Sequence, residues 1–160
     1  MKNVKSIIAI VLIAAFALTA VGCKKKTPAT VDTFYEKTAE YGLQKTDLSL
    51  DGTDLASVVK EKAFAFKESG EMLILCEFYI ANSKSDASRI FSGTKDAAEV
   101  FVSGSKSSSS VNSGSYHYYR LAGSDVMAVL VQVEDTVLYI RADKVFEGDA
   151  DNIVKALGYK

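Results

Sequence analysis

Apolar and polar residues alternate over several short stretches of the chain, which is the pattern of half-buried β-strands. In Glu71–Ala81, every second residue from Met72 to Ile80 is apolar, and these residues share one face. The opposite face is also mostly apolar, so we expect this strand near the centre of its sheet. The same pattern predicts five further strands, at Leu43–Leu50, Lys62–Lys67, Tyr116–Leu121, Asp125–Val133 and Thr136–Ala142.

Apolar residues at helical spacing predict three helices, of which the first opens near Asp32. Thr33 and Glu36 have the spacing of a capping box there, and Thr30 and Asp32 are the alternative caps. Gly42 follows the last helical residues, in the position where glycine commonly ends a helix.

The second predicted helix covers Ser83–Phe101, and the third covers residues 149–157. Gly93 lies inside the second helix, where glycine costs about 1 kcal/mol relative to alanine and favours a break. The order α-βββ-α-βββ-α predicts an α+β fold, in which an antiparallel β-sheet carries helices packed mainly on one face. We expect residues 31–160 to form this single domain.

A serine-rich stretch, Ser103–Ser115, separates the second predicted helix from the strand that follows it. It holds eight serines and two glycines among thirteen residues, and Val111 is its one apolar side chain. Such a composition is typical of flexible linkers, so the sequence predicts an exposed, flexible loop.

An apolar segment, Ile7–Val21, precedes the domain and follows two basic residues, Lys2 and Lys5. Its length fits the ~7–15 apolar residues of a signal peptide and falls short of the ~20 that span a bilayer. Residues 1–22 are therefore predicted to be a signal peptide.

The end of this segment, Ala20-Val21-Gly22-Cys23, resembles the lipobox of bacterial lipoproteins, with Ala20 where leucine is usual. The resemblance implies that the Cys23 thiol receives a diacylglycerol and that cleavage leaves Cys23 as the new N-terminus. Membrane lipid would then be a partner through this anchor. The alternative is an ordinary secretory signal that is followed by a chance cysteine.

Lys24, Lys25 and Lys26 follow this cysteine, and Pro28, the single proline of the chain, comes shortly after them. Each lysine near a membrane surface can add about 1 kcal/mol of attraction to anionic lipid. We expect residues 23–30 to form a lipidated basic tether outside the fold.

The charge balance argues against nucleic acid as a partner, because the formal net charge is −1 and such proteins usually carry a basic excess. One histidine and two cysteines leave few ligands for a metal centre. Asp47, Ser49 and Asp51 have the spacing that opens a calcium loop, but Val58 occupies the position of the bidentate glutamate. We therefore expect neither a metal nor another cofactor.

Cys76 and His117 are the two reactive side chains left to place. No local pattern supplies His117 with a nucleophile and an orienting acid, which favours a surface strand residue over a catalytic base. Cys76 lies on the apolar face of its strand, which favours a buried small hydrophobe, and a reactive thiol is the alternative. No catalytic residue is assigned.

Four consecutive residues, Tyr116, His117, Tyr118 and Tyr119, form the candidate binding surface of the sequence. Tyrosine combines an apolar ring with a polar tip, so an exposed group of tyrosines could stack on a saccharide or dock a protein. The alternative is the ordinary preference of tyrosine for half-buried strands.

Short segments along the chain accompany the motif at Cys23, namely Phe34–Lys37 before Tyr41-Gly42, Glu77–Tyr79, Ala87 with Phe91, Asp135–Ile140 and Ala156–Tyr159. With these segments the chain resembles small lipoproteins of Gram-positive bacteria of the clostridial kind, a family that supplies no known activity or ligand. The resemblance implies export and a lipid-anchored location on the extracytoplasmic face of the cell membrane. We expect a binding or interaction module with a protein or saccharide partner, and the alternative is an envelope enzyme of unrecognised type.

Overall fold

One antiparallel sheet organises residues 25–160, the part of the chain that the computed structural model describes. Its strands are β1 Gln44–Thr46, β2 Val59–Ser69, β3 Met72–Ala81, β4 Ser107–Ser113, β5 Tyr116–Ala122, β6 Val126–Val133 and β7 Thr136–Asp143. They lie in the order β1-β2-β3-β7-β6-β5-β4, so the pairing of β3 with β7 joins the two halves of the chain. The predicted α+β class and antiparallel sheet are confirmed.

Within residues 25–160, three α-helices accompany the sheet: α1 Val31–Ala39, α2 Lys84–Phe101 and α3 Glu147–Ala156. Short 3-10 turns precede β2 at Asp54–Ser57 and precede α3 at Lys144–Phe146. Of the alternative caps for α1, the structure selects Thr30, whose hydroxyl accepts a hydrogen bond from the Thr33 amide at 3.1 Å. Helix α2, the longest of these three, continues through Gly93 without a break and is capped by Ser83.

The helices cover both faces of the sheet. Side chains of α1 and α3 pack with Cys76 and Phe78 on one face, where Phe34 stacks on Phe78 with 5.3 Å between ring centres. Side chains of α2 pack on the other face, against Tyr79 and Tyr139 among others. The prediction of helices mainly on one face therefore holds for α1 and α3, and α2 departs from it because the second face of the central strands is apolar and needs its own cover.

The serine-rich segment contains a strand, which corrects the prediction of a flexible loop over Ser103–Ser115. Ser107–Ser113 forms β4 and pairs residue by residue with β5, from Ser107 opposite Ala122 to Ser113 opposite Tyr116. All seven residues of β4 are exposed, because an edge strand needs only backbone hydrogen bonds to its neighbour and no apolar face. The sheet thus has seven strands where the sequence pattern predicts six.

The first predicted strand is shorter than its pattern indicates. Of Leu43–Leu50, only Gln44–Thr46 pairs with β2. Leu50 then packs against the apolar cluster on the α2 face of the sheet, which includes Val58 and Phe64. A turn at Asp51 and Gly52 (φ 75°) then reverses the chain direction before β2. Residues 47–50 are therefore held by the burial of Leu50 and not by pairing in the sheet.

The strand assignment of the serine-rich segment predicts a particular pattern of amide exchange. Amides of Ser107–Ser113 that point towards β5 should be protected, and alternate amides that point away should exchange at nearly unprotected rates. Hydrogen exchange resolved by NMR measures this directly. Uniformly fast exchange over all seven residues would contradict the strand and support the flexible loop.

Burial of Cys76 predicts an inert thiol. Its side chain is fully buried, as the sequence predicts, and burial raises the pKa of the Cys76 thiol far above its ordinary value. The folded protein should resist a thiol reagent until it is denatured. Cys76→Ser should lower the free energy of unfolding by about 1–3 kcal/mol, because it buries an unpartnered hydroxyl. Cys76→Ala should cost less in the same urea titrations, and rapid labelling of the native protein would contradict this account.

Candidate functional site

A cleft of about 380 Å³ opens between one flank of α2 and the sheet. Its floor is made by side chains of the two central strands, β3 and β7, and its far wall by the 3-10 turn before β2. We call it the α2 cleft, and it is lined by Leu55, Glu77, Tyr79, Gly93, Thr94, Ala97, Phe101, Tyr139 and Arg141. Its volume falls in the range of small-molecule sites, about 300–1,000 Å³.

Small residues on α2 leave the cleft open. Gly93, Ala97 and Phe101 are spaced four apart and therefore lie along one flank of the helix. A Cβ built on Gly93 would meet no heavy atom within 4 Å, so bare backbone forms this part of the wall. Thr94 faces the sheet beside it and satisfies its hydroxyl by donating to the Ile90 carbonyl at 2.8 Å. From Gly93 onwards, Phe101 is the first bulky side chain on this flank, and it also lines the cleft.

An ion pair lies on the floor of the cleft, and Glu77 is its member on β3, a strand that is otherwise apolar from Met72 to Ala81. Glu77 is directly opposite Tyr139 in the pairing of β3 with β7. One oxygen of the Glu77 carboxylate, Oε2, accepts a hydrogen bond from the Tyr79 hydroxyl at 2.5 Å. The other oxygen, Oε1, lies 3.2 Å from Nη2 of Arg141. Because the Glu77 side chain is only 12% exposed, both partners are needed to offset the desolvation of its charge.

The two tyrosines of the floor remain protonated over the physiological range. Burial raises the pKa of Tyr79, and the neighbouring Glu77 charge raises it further. Burial also raises the pKa of Tyr139 to about 12, although the Arg141 charge acts in the opposite direction. The floor therefore presents two neutral phenol rings around one carboxylate and one guanidinium.

The residues predicted to contact the membrane lie at another end of the domain or outside the described residues. Cys23 and Lys24 lie outside them. Lys25 pairs with Glu134 at 3.1 Å, and Lys26 lies over the Tyr116 ring, 6.0 Å from its centre.

Residues 25–30, which we call the leading segment and which fall within the predicted tether, contact the domain through Lys25 and Ala29. The Ala29 amide donates to the Tyr159 hydroxyl at 2.8 Å, and that hydroxyl lies 3.0 Å from Thr136 Oγ1. Tyr159 is fully buried, so its hydroxyl needs these partners. The last residues of the domain thus hold the segment that precedes the first helix.

The predicted tyrosine surface does not form a continuous exposed face. Successive residues of a strand point to opposite faces, so Tyr116 and Tyr118 belong to the α1 and α3 side while His117 and Tyr119 belong to the α2 side. Tyr118 and Tyr119 are buried, at 7% and 8% exposure. The burial of these two rings agrees with the strand preference of tyrosine, and a binding role for the four residues stays a prediction.

His117 is bonded to a neighbouring strand. Its Nδ1 lies 2.9 Å from the side-chain oxygen of Asn112 on β4, and its ring is 5.8 Å from that of Phe91. Within residues 25–160, no three acidic, histidine or cysteine side chains are grouped closely enough to hold a metal ion. In the same part of the chain, no helix is long and apolar enough to cross a membrane.

Sequence reasoning missed the α2 cleft, although one signal was available. Glu77 is the single charged residue between Met72 and Ala81, on a strand that is apolar on both faces. A charge in that position requires a partner, because an unpaired buried charge is costly. Its partner Arg141 is far away in the sequence, so only the strand register reveals the pair.

Comparisons with known proteins support the fold. No family model matches this sequence, and no curated protein matches it either. A solved structure of similar fold is a Thermotoga maritima protein described as a GTP binding regulator, with 12% sequence identity and a TM-score of 0.55. The match covers 83% of this chain and 92% of that chain. At this identity the likeness defines an α+β domain of the same architecture and carries no information about the ligand.

Glu134 is predicted to make the stability of the domain depend on pH in the acid range. It lies in the turn between β6 and β7 with φ 56°, and ion pairs with Lys84 and Lys25 lower the pKa of its carboxyl to about 2. An unfolded glutamate titrates near 4.3, so the contribution to stability is present above that pH and is lost as the pH falls through the folded value of about 2.

Glu134→Gln should therefore be less stable than the wild type at neutral pH, and the difference should shrink between about pH 5 and pH 2. Lys84→Ala should reduce the same pH dependence in part, because it removes one of the two cations. Urea midpoints measured over this pH range provide the test. A difference between wild type and Glu134→Gln that is constant with pH would show that the ion pairs contribute nothing.

Proposed function

We propose that the protein is a lipoprotein, held on the extracytoplasmic face of the cell membrane by lipid on Cys23, and that its domain binds a small ligand there. The observation that carries the anchor is the order of features at the N-terminus: Lys2 and Lys5, the apolar segment Ile7–Val21, small residues and then Cys23. Two or more acyl chains give stable membrane attachment, because each buried CH₂ contributes about 0.8 kcal/mol.

Contacts of the leading segment support a close approach of the domain to the membrane. The described residues begin two positions after Cys23, and Lys25 is already paired with Glu134. A lipid on Cys23 would therefore bring the turn between β6 and β7 near the headgroups. Lys84, 67% exposed at the N-terminus of α2, lies at the same end. These lysines would face anionic lipid.

The α2 cleft supports the binding function. It combines apolar walls, a volume suited to a small molecule and a few convergent polar groups, which are the usual attributes of a ligand site. Arg141 lines it with 41% of its side chain exposed. The cleft therefore replaces the tyrosine surface as the binding region, and the proposed ligand is a small molecule rather than a protein or a saccharide chain.

Lipid attachment at Cys23 predicts a clear difference between the two cysteines of the chain. Cells fed with radioactive palmitate should label the wild-type protein, and Cys23→Ala should abolish both the label and its recovery in the membrane fraction. Cys76→Ala is the matched control, because Cys76 is buried in the core and should have no part in attachment. Labelling that persists in Cys23→Ala would overturn the proposal. Secretion of unlabelled wild-type protein would favour the ordinary signal peptide.

A further inference from the structure

Arg141 has more hydrogen-bond donors than the domain has acceptors for it. A guanidinium carries five N–H groups, and the contact to Glu77 Oε1 uses one of its nitrogens, Nη2. The Arg141 Nε is buried and has no hydrogen-bond partner among the described residues. The Arg141 side chain is 41% exposed and lines the α2 cleft, so a ligand in the cleft can contact it. The floor of the cleft therefore favours a ligand that brings an oxygen acceptor.

Glu77 restricts the charge of that ligand. Its carboxylate already neutralises Arg141, and both of its oxygens are occupied, one by Arg141 and one by Tyr79. A ligand carboxylate would place a second anion on the same guanidinium and close to Glu77, in a partly buried site where like charges repel strongly. A ligand cation would meet the exposed Arg141 before the more deeply buried Glu77. An uncharged acceptor avoids both penalties.

The walls define the rest of the ligand. The rings of Tyr79 and Tyr139 contribute to the floor, and Leu55, Ala97 and Phe101 to the sides. Aromatic and aliphatic surfaces of this kind favour a flat apolar body.

We propose that the α2 cleft binds an uncharged, flat, mainly apolar molecule whose carbonyl or amide oxygen accepts hydrogen bonds from Arg141. This inference rests on the ligand-binding part of the proposed function and is independent of the lipid anchor.

Two probes of equal shape test the charge selection: 2-naphthamide, which is neutral, and 2-naphthoate, which is anionic. We expect the full-length protein in detergent to bind the amide at least about tenfold more tightly than the acid in calorimetric titrations. Glu77→Gln should reverse this preference, because Arg141 then carries an uncompensated charge that suits a carboxylate. The reversal is a change in selectivity that general destabilisation of the fold would not produce.

A second pair of variants tests the location. Gly93→Leu should weaken binding of 2-naphthamide by about tenfold or more, because its side chain grows from the wall of the cleft. Leucine is also a better helix former than glycine, so this variant should fold. Gly148→Leu on α3 is the matched control, since Gly148 is likewise a helical glycine with no heavy atom within 4 Å of a built Cβ and lies outside the cleft. It should bind like the wild type.

Three results would overturn the inference: wild-type protein that binds neither probe, wild-type protein that prefers the naphthoate, or Gly93→Leu that binds as tightly as Gly148→Leu. The lipid-anchor proposal is tested independently of this inference, because palmitate labelling of Cys23 does not depend on ligand binding in the α2 cleft. Labelled protein that binds neither probe would reject the ligand class and leave the anchor standing. Protein that is not labelled by palmitate but binds 2-naphthamide would reject the lipid anchor and support the ligand class.

Discussion

The pairing of β3 with β7 is the constraint on which the rest of the structure depends. It joins strands that are about sixty residues apart, and both strands are buried on two faces. Opposite pairs alternate between the faces: Cys76 with Ile140 points to α1 and α3, and Glu77 with Tyr139 points to α2. A shift of one residue would send apolar and charged side chains to the wrong faces, so burial on both sides makes this register specific.

The candidate site follows from the same register. Since Glu77 and Arg141 point to the α2 face from neighbouring strands, their charges meet beneath a helix. Loss of Arg141 would leave the Glu77 carboxylate, 12% exposed, without its cation, whereas Arg141 is 41% exposed and can still be hydrated when Glu77 is replaced. Because Gly93 and Ala97 have small side chains or none, a cleft remains between α2 and the Glu77–Arg141 pair. A ligand in the cleft would give a reason for a glycine in the middle of an 18-residue helix, where glycine is otherwise unfavourable.

Particular residues show how far sequence reasoning reached. The alternation around Cys76 predicts a central strand and a buried thiol, and both are confirmed. A strand that is buried on two faces needs apolar residues on both, and this pattern is easily recognised in the sequence. The strand β4 was missed because a polar edge strand is held by backbone hydrogen bonds, which serine does not signal. The α2 cleft was missed because Glu77 and Arg141 come together only through long-range pairing. The anchor at Cys23 depends on a local motif and stays a prediction from the sequence.

The register of β3 against β7 is measured most directly by NMR, through cross-strand nuclear Overhauser effects between backbone protons. The structure predicts contacts that place Glu77 opposite Tyr139 and Cys76 opposite Ile140. Contacts that place Glu77 opposite Ile140 would contradict it, because Tyr139 and Arg141 would then point to the α1 and α3 face. The α2 cleft would in that case lose both its guanidinium and one of its aromatic rings.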